Sequence, residues 1–172
     1  MGERRRARAA RTRRTKKRRD KPVEVSRRAQ RVYDWESEWH HWNYAQFSTI
    51  HGPRKWIKWA LDAYGVPHTV VRPRRGRQAS FFRPHDWSIN LLEKHHNVAS
   101  ALHEASHAIH AYYYGPVDEH HDERWLGIYV WLLTCTTLWP KEAITASLAA
   151  RNLKYSRMMT PDVLKYKRPY GK

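Results

Sequence analysis

Residues 101–110 read ALHEASHAIH, and this stretch decides the fold and the site that we expect for the chain. On a helix, His103 and His107 are one turn apart on the same face, so their imidazoles can share one metal ion, with Glu104 beside them. The chain has 12 His in 172 residues. Even so, chance alone would produce only roughly 0.04 HExxH strings in such a composition. We therefore predict a metal site on this helix.

The sequence before the motif helix predicts a small sheet. Short runs of β-branched and aromatic residues are separated there by turn residues, which is typical of strands. The predicted strands are 68–72 and 78–83, joined as a hairpin, and 85–92. Asn97 or Ser100 can then cap the motif helix, which should end at Gly115.

Three further segments predict helices. In residues 52–65, aromatic residues interleaved with Lys55 and Lys58 could stack on bases, but their spacing favours a buried stripe. A nearly apolar helix at 124–134 and a third helix at 141–152 should complete the core. The predicted fold class is α+β, with a short antiparallel sheet packed on the HExxH helix and on further core helices.

Charge divides the chain into three parts. The 172 residues, 41% of them hydrophobic, suffice for one core. Lys and Arg number 33 against 16 acidic residues, a formal charge of +17, which calls for a polyanionic partner such as DNA or RNA. We predict a disordered basic arm at 1–30, one folded domain at 31–157 and a basic tail at 158–172.

The N-terminal arm is the candidate nucleic-acid-binding element. It has no large apolar side chain between residues 3 and 19, so burial cannot offset the entropy of ordering, and we expect disorder in the free state. Its cations would condense onto phosphates and release counterions. The alternative is a solubilising tail or a nuclear-localisation-like run. The candidate residues are Arg4, Arg5, Arg6, Arg8, Arg11, Arg13, Arg14, Lys16, Lys17, Arg18 and Arg19.

Composition also narrows the function classes. Cys135 is the only cysteine, so an intramolecular disulfide and a cysteine-type zinc cluster are excluded. The longest apolar run, around 125–133, is shorter than the roughly 20 residues that span a bilayer. No apolar segment of a secretory signal follows the charged N-terminus. We expect a soluble intracellular protein, cytoplasmic or nucleoid-associated, in a host cell or in a virion.

A catalytic zinc site needs a third protein ligand, with the fourth position left to water. His110 lies on the same stripe, but it is about 10 Å from His103 along a straight helix, too far to share an ion with bonds near 2 Å. The loop that follows the helix can reach the ion from a new direction. The candidates there are Glu119, Glu123, His120 and His121.

The order of motifs resembles the SprT-like branch of the zincin metallopeptidases and the small zincin-like proteins of actinobacteria and their phages. Their pattern is HExxH, a variable loop, and a His followed by a short polar stretch and a Trp or Phe. Here HEASH at 103–107 is followed by a break at 114–116 and HDERW at 121–125. No cysteine zinc ribbon follows, and the metzincin form HExxHxxGxxH is not met.

The resemblance implies a Zn²⁺-dependent peptidase that acts on a protein or peptide. The implied roles are zinc ligands for His103, His107 and His121, and general base for Glu104. An oxyanion donor is also needed, and Tyr112, Tyr113, Tyr114 and His110 are near in sequence, although no spacing rule selects one. Ser106 lacks a G-x-S-x-G turn, so we interpret it as packing or as a bond back to the helix.

Two functions follow from these patterns. The first is a zinc peptidase that the basic termini bring to DNA or RNA, where it cuts bound proteins. The second is a non-catalytic nucleic-acid-binding or virion-assembly protein that retains a zincin scaffold. Glu104 favours the first, because a structural site needs no base beside its ligands. The charge of the termini favours the second function or is neutral between the two. The sequence patterns do not indicate an oligomeric state.

Deleting residues 1–20 should reduce the dependence of polyanion affinity on salt, because each lost phosphate contact removes one source of counterion release. The measurement is the slope of log affinity for a labelled oligonucleotide against log salt concentration. A slope equal to that of the intact chain would exclude the arm from the binding site.

Overall fold

The computed structural model describes residues 25–39, 46–76, 79–116, 121–136 and 138–171. Within these ranges the chain forms six α-helices and a three-stranded sheet, so the α+β fold class is confirmed. The elements are α1 (Arg27–Trp39), α2 (His51–Ala63), β1 (Val70–Arg74), β2 (Phe81–Arg83), β3 (Ser88–Leu92), α3 (Val98–Tyr114), α4 (Glu123–Cys135), α5 (Lys141–Ala150) and α6 (Pro161–Leu164). Residues 1–24 of the arm predicted at 1–30 lie outside the described residues.

Helix α3 carries the HExxH motif through the centre of the domain. The side chain of Asn97 caps it by accepting a hydrogen bond from the Ser100 amide at 2.8 Å. Gly115, with φ of 76°, ends it in a conformation that other residues rarely adopt. Helices α2 and α4 and the sheet pack around α3. The motif side chains are therefore held by a helix that is covered on most sides.

The sheet order is β1-β3-β2, so the predicted hairpin between the first two strands is wrong. Strand β3 pairs in parallel with β1 and antiparallel with β2, so the sheet is mixed and not purely antiparallel. Ile89 and Leu91 of β3 are fully buried, whereas β1 and β2 are largely exposed or half-buried. The most apolar strand therefore takes the central position and leaves both edges to its neighbours.

Helix α1 begins at Arg27, inside the region predicted as a disordered arm to residue 30. Ala29, Val32 and Trp35 on one face of α1 are buried in the core. The indole N–H of Trp35 donates to Ser147 Oγ of α5 at 2.8 Å. The boundary at 30/31 is therefore too late, because the apolar stripe of α1 starts before it.

The predicted C-terminal tail also belongs to the packed domain in part. Met159 and Leu164 are buried, and the hydroxyl of Tyr64 donates to the Met159 carbonyl at 2.6 Å. The Ser156 amide donates to the Glu123 carbonyl at 2.8 Å. The basic charges after residue 158 concealed these two apolar anchors, so the predicted boundary at 157 is too early.

Helix α2 buries Ile57 and Leu61, and its half-buried Trp56 and Trp59 pack against the core, as the interpretation of a buried stripe predicts. The Trp59 ring stacks on Trp131 of α4 with centroids 6.5 Å apart. No helix in the described ranges combines the length and the apolar character needed to cross a membrane.

Changing Gly127 to Ala should destabilise the fold, although Ala normally favours a helix by about 1 kcal/mol over Gly. A Cβ at position 127 would collide with the Ser156 carbonyl oxygen and come within 2.9 Å of Met159 Cγ. Overpacking against backbone costs about 1–3 kcal/mol, so the free energy of unfolding should fall, as urea denaturation can measure.

The matched control is Ala146→Gly on the exposed face of α5. There the Gly form should be the less stable one by about 1 kcal/mol, the opposite order to position 127. A Gly127→Ala protein as stable as wild type would contradict the packing of residues 156–159 on α4.

Candidate metal centre

The three histidines predicted as ligands converge on one point. His103 and His107 project from α3, and His121 comes from the turn before α4. His103 Nε2 lies 3.1 Å from His107 Nε2 and 3.3 Å from His121 Nε2. All three ligand atoms lie within 4.8 Å of one another, so the cluster can hold a metal ion.

The other candidates for the third ligand do not join this cluster among the described residues. Glu123 is exposed at the start of α4, and His110 Nε2 lies 3.2 Å from Asp122 Oδ1, one turn farther along α3. Glu119 and His120 fall in 117–120, outside the described residues.

The two nitrogen spacings around His103 fit a tetrahedral ion. Two nitrogens bound at about 2.0–2.1 Å with tetrahedral angles lie about 3.3 Å apart, close to the 3.1 and 3.3 Å observed. Hydrogen bonding alone accounts for the cluster poorly, because the single Nε2 atom of His103 would have to serve two neighbouring rings at once. Imidazole donors suit zinc, copper, iron and nickel better than magnesium or calcium.

The backbone of His121 is held from two directions. Asp122 caps α4 by accepting hydrogen bonds from the Arg124 and Trp125 amides at 2.9 and 2.8 Å. From α1, Arg28 Nε donates to the His121 carbonyl at 2.6 Å. Since the His121 carbonyl and the following Asp122 side chain are both held by hydrogen bonds, the third imidazole has little freedom to leave the cluster.

A buried tryptophan forms the floor of the cluster. The Trp125 ring lies 4.4 Å from the His121 ring, 4.8 Å from His103 and 5.0 Å from His107, stacked on the last. Trp125 is fully buried, so water is excluded from this side of the imidazoles. An ion there would remain open only on the side away from Trp125.

Helix α1 supplies two site residues that the sequence patterns did not indicate. His103 Nδ1 donates to Glu36 Oε1 at 2.7 Å, which leaves Nε2 as the lone-pair nitrogen that a metal needs. Burial lowers the pKa of His103, but attraction to Glu36 outweighs burial, and the net pKa is raised. One turn earlier, Tyr33 stacks on His103 at 6.2 Å and meets His121 edge-on at 5.0 Å.

Glu104 is the unusual group of the site. Its side chain is buried, and Oε2 has no hydrogen-bond partner within the described part of the chain. Burial is the main cause that raises its pKa to about 7, with repulsion from Glu36 adding and attraction to His103 opposing. A carboxyl group of this kind can take up and release a proton near neutral pH.

A cavity of about 200 Å³ opens beside His103 and Glu104. Two of its polar lining residues are Ser80 and His95, whose Oγ and Nδ1 atoms are 3.1 Å apart. Ser80 Oγ also accepts the Leu92 amide at 3.0 Å, so this pair is held against the end of β3. Tyr33 and Glu36 of α1 also line this cavity.

The oxyanion donors considered from sequence do not line this cavity. Tyr114 donates its hydroxyl to Met159 Sδ at 3.2 Å, and His110 faces Asp122. Tyr112 lies beside a different cavity, near the C-terminus. Ser106 bonds back to the Leu102 carbonyl at 2.7 Å, which confirms its interpretation as a helix back-bond.

No protein-family model, curated protein or solved structure matches this chain. The eleven candidate arm residues, from Arg4 to Arg19, lie outside the described residues. Zinc binding and nucleic-acid binding therefore stay predictions.

Changing Glu36 to Ala should weaken metal binding by about 10- to 100-fold, because His103 loses the partner that orients its ring and fixes its tautomer. Competition between the protein and a chromogenic zinc chelator measures the affinity. Glu38→Ala is the matched control, since Glu38 lies on the same helix but pairs with Arg151. Equal affinities of the two variants would remove Glu36 from the site.

Proposed function

We propose that the chain is a zinc-dependent peptidase of the SprT-like zincin type. The observation that supports this best is the buried, unpartnered Oε2 of Glu104 beside three convergent imidazoles at the wall of a cavity. A site that only stabilises the fold has no use for a desolvated carboxyl group next to its ligands. His103, His107 and His121 would hold the ion.

The ion would supply Lewis acidity, which polarises a peptide carbonyl and brings the pKa of water toward about 7. Glu104 would take a proton from the attacking water at Oε2 and then return it to the leaving amine. The proton removed from water would end on the new amino group, and the remaining hydroxyl would become part of the new carboxyl group. Glu104 would end each catalytic cycle in the protonation state in which it began.

Substrate would enter the cavity between the helix that carries Glu104 and the wall formed by α1. Tyr33 and His95 line this cavity, and a hydroxyl or a ring N–H there can donate to the oxyanion as negative charge develops. Glu36 would act through His103 and not on the substrate. The peptide bond would lie against the open side of the cluster, away from Trp125.

The substrate class would be proteins held on DNA or RNA. The formal charge of +17 and the eleven basic residues of the arm support this part of the proposal, because such charge favours phosphate backbones. The non-catalytic scaffold is the competing function. It predicts the same metal content and the same polyanion binding, but no hydrolysis.

Glu104→Gln should abolish hydrolysis while the metal stays bound, because the amide cannot accept the proton but leaves the three imidazoles in place. General-base catalysis contributes about 10²- to 10⁴-fold, so the loss should be of that size. The readout is cleavage of denatured casein, with and without added DNA, next to zinc content by elemental analysis.

His103→Ala and His121→Ala are the companion variants, and both should lose zinc together with activity. A wild-type protein that binds one zinc ion but cleaves nothing under any of these conditions would favour the scaffold. If the wild-type protein holds no zinc after it has been prepared in the presence of zinc, that result would overturn the metal site itself.

A further inference from the structure

The basic segment 165–171 is folded against the domain. The Tyr170 amide donates to the Tyr112 carbonyl at 2.9 Å, and the Lys167 amide donates to the Leu164 carbonyl at 2.8 Å. The Tyr170 ring rests on Gly115, where an added Cβ would meet ring atoms at 2.8 Å. The segment is therefore held in one place by its backbone and by one close ring contact.

Two aromatic rings in this segment face solvent. Tyr166 is 82% exposed and Tyr170 is 65% exposed. Exposed aromatic rings are surfaces on which the bases of single strands can stack. The residues between them include exposed Lys167 and Arg168, so cations and rings alternate along the segment.

Further cations and a cavity lie beside the rings. Arg124 and Lys167 sit over the Tyr114 ring at 4.7 and 4.6 Å. A cavity of about 320 Å³ lies next to Lys165 and Lys167. Asp162 also lines it, with Oδ1 3.2 Å from Lys165 Nζ, but an exposed pair of this kind is weak and leaves Lys165 able to bind a phosphate.

We propose that this surface, the tyrosine platform, binds single-stranded nucleic acid. Bases would stack on the exposed rings while the cations contact successive phosphates. A duplex hides its base faces, so it would use the charges and not the rings. The platform is independent of the metal centre and of the N-terminal arm. Its residues are Lys165, Tyr166, Lys167, Arg168 and Tyr170.

The test is anisotropy titration of the full chain with a labelled 20-nucleotide oligo(dT) and with a duplex of equal length. Tyr166→Ala/Tyr170→Ala should weaken oligo(dT) binding by at least about tenfold with an unchanged salt slope, because stacking releases no counterions. Binding to the duplex should not change. Tyr166→Phe/Tyr170→Phe should bind like wild type, since the rings remain.

A second double variant, Lys165→Ala/Lys167→Ala, tests the charges of the platform. It should lower the salt slope for oligo(dT) by about 1.4. Its control is Lys94→Ala/Lys141→Ala, which removes the same charge from exposed positions elsewhere. Because Tyr170 packs on Gly115, Tyr166→Ala alone is the variant that keeps the fold intact, and it should show about a fivefold loss.

Three results would overturn the platform. The first is wild-type oligo(dT) affinity in the tyrosine-to-alanine variants, and the second is an equal loss for the duplex. In the third, the tyrosine-to-alanine variants lose binding to vesicles that contain phosphatidylserine but keep wild-type oligo(dT) binding. That result would identify a lipid surface instead. His107→Ala should lose metal but keep oligo(dT) affinity, so failure of the peptidase proposal and failure of the platform can be told apart.

Discussion

The constraint on which the structure depends is that the Nε2 atom of His103 lies 3.1 and 3.3 Å from the Nε2 atoms of two other imidazoles in a largely buried place. Lone pairs at that distance repel one another unless a cation or shared protons lie between them, so the surroundings must hold them together. Asn97 and Gly115 delimit the helix that carries two of them, and the Asp122 cap positions the third. The two residues just before α4 thereby cap this helix and place the third imidazole in the cluster.

The chemistry of the site comes from unequal surroundings on its sides. Trp125 closes one side with an apolar ring, whereas Tyr33, Ser80 and His95 line an open cavity on another. Glu104 lies between these environments, buried enough to raise its pKa yet on the cavity wall. A carboxyl group in water would stay ionised at neutral pH, and one sealed in the core could not meet a substrate.

Sequence patterns predicted those parts of the site whose residues lie close together along the chain. His103, Glu104 and His107 follow from a helical repeat, and His121 follows from the motif order after the break at Gly115. Glu36 was not predictable in this way, because it lies 67 residues before the ring that it orients and no spacing rule links them. An acidic residue beside the apolar stripe of α1 is the only signal that could have raised the question. Strand pairing failed for a related reason, since the central place of β3 depends on burial on both faces.

Because α1 lines the cavity, a ligand bound next to the start of this helix would be tethered close to the three imidazoles. The residues from Arg19 to Arg27 can span at most about 28 Å, and the helix to Tyr33 adds about 9 Å. Under the proposed function, a protein held beside Arg19 would therefore stay within about 40 Å of the three imidazoles. Under the proposed function, a tether of that length would give an effective concentration in the millimolar range, so even a weak intrinsic affinity for a peptide would suffice.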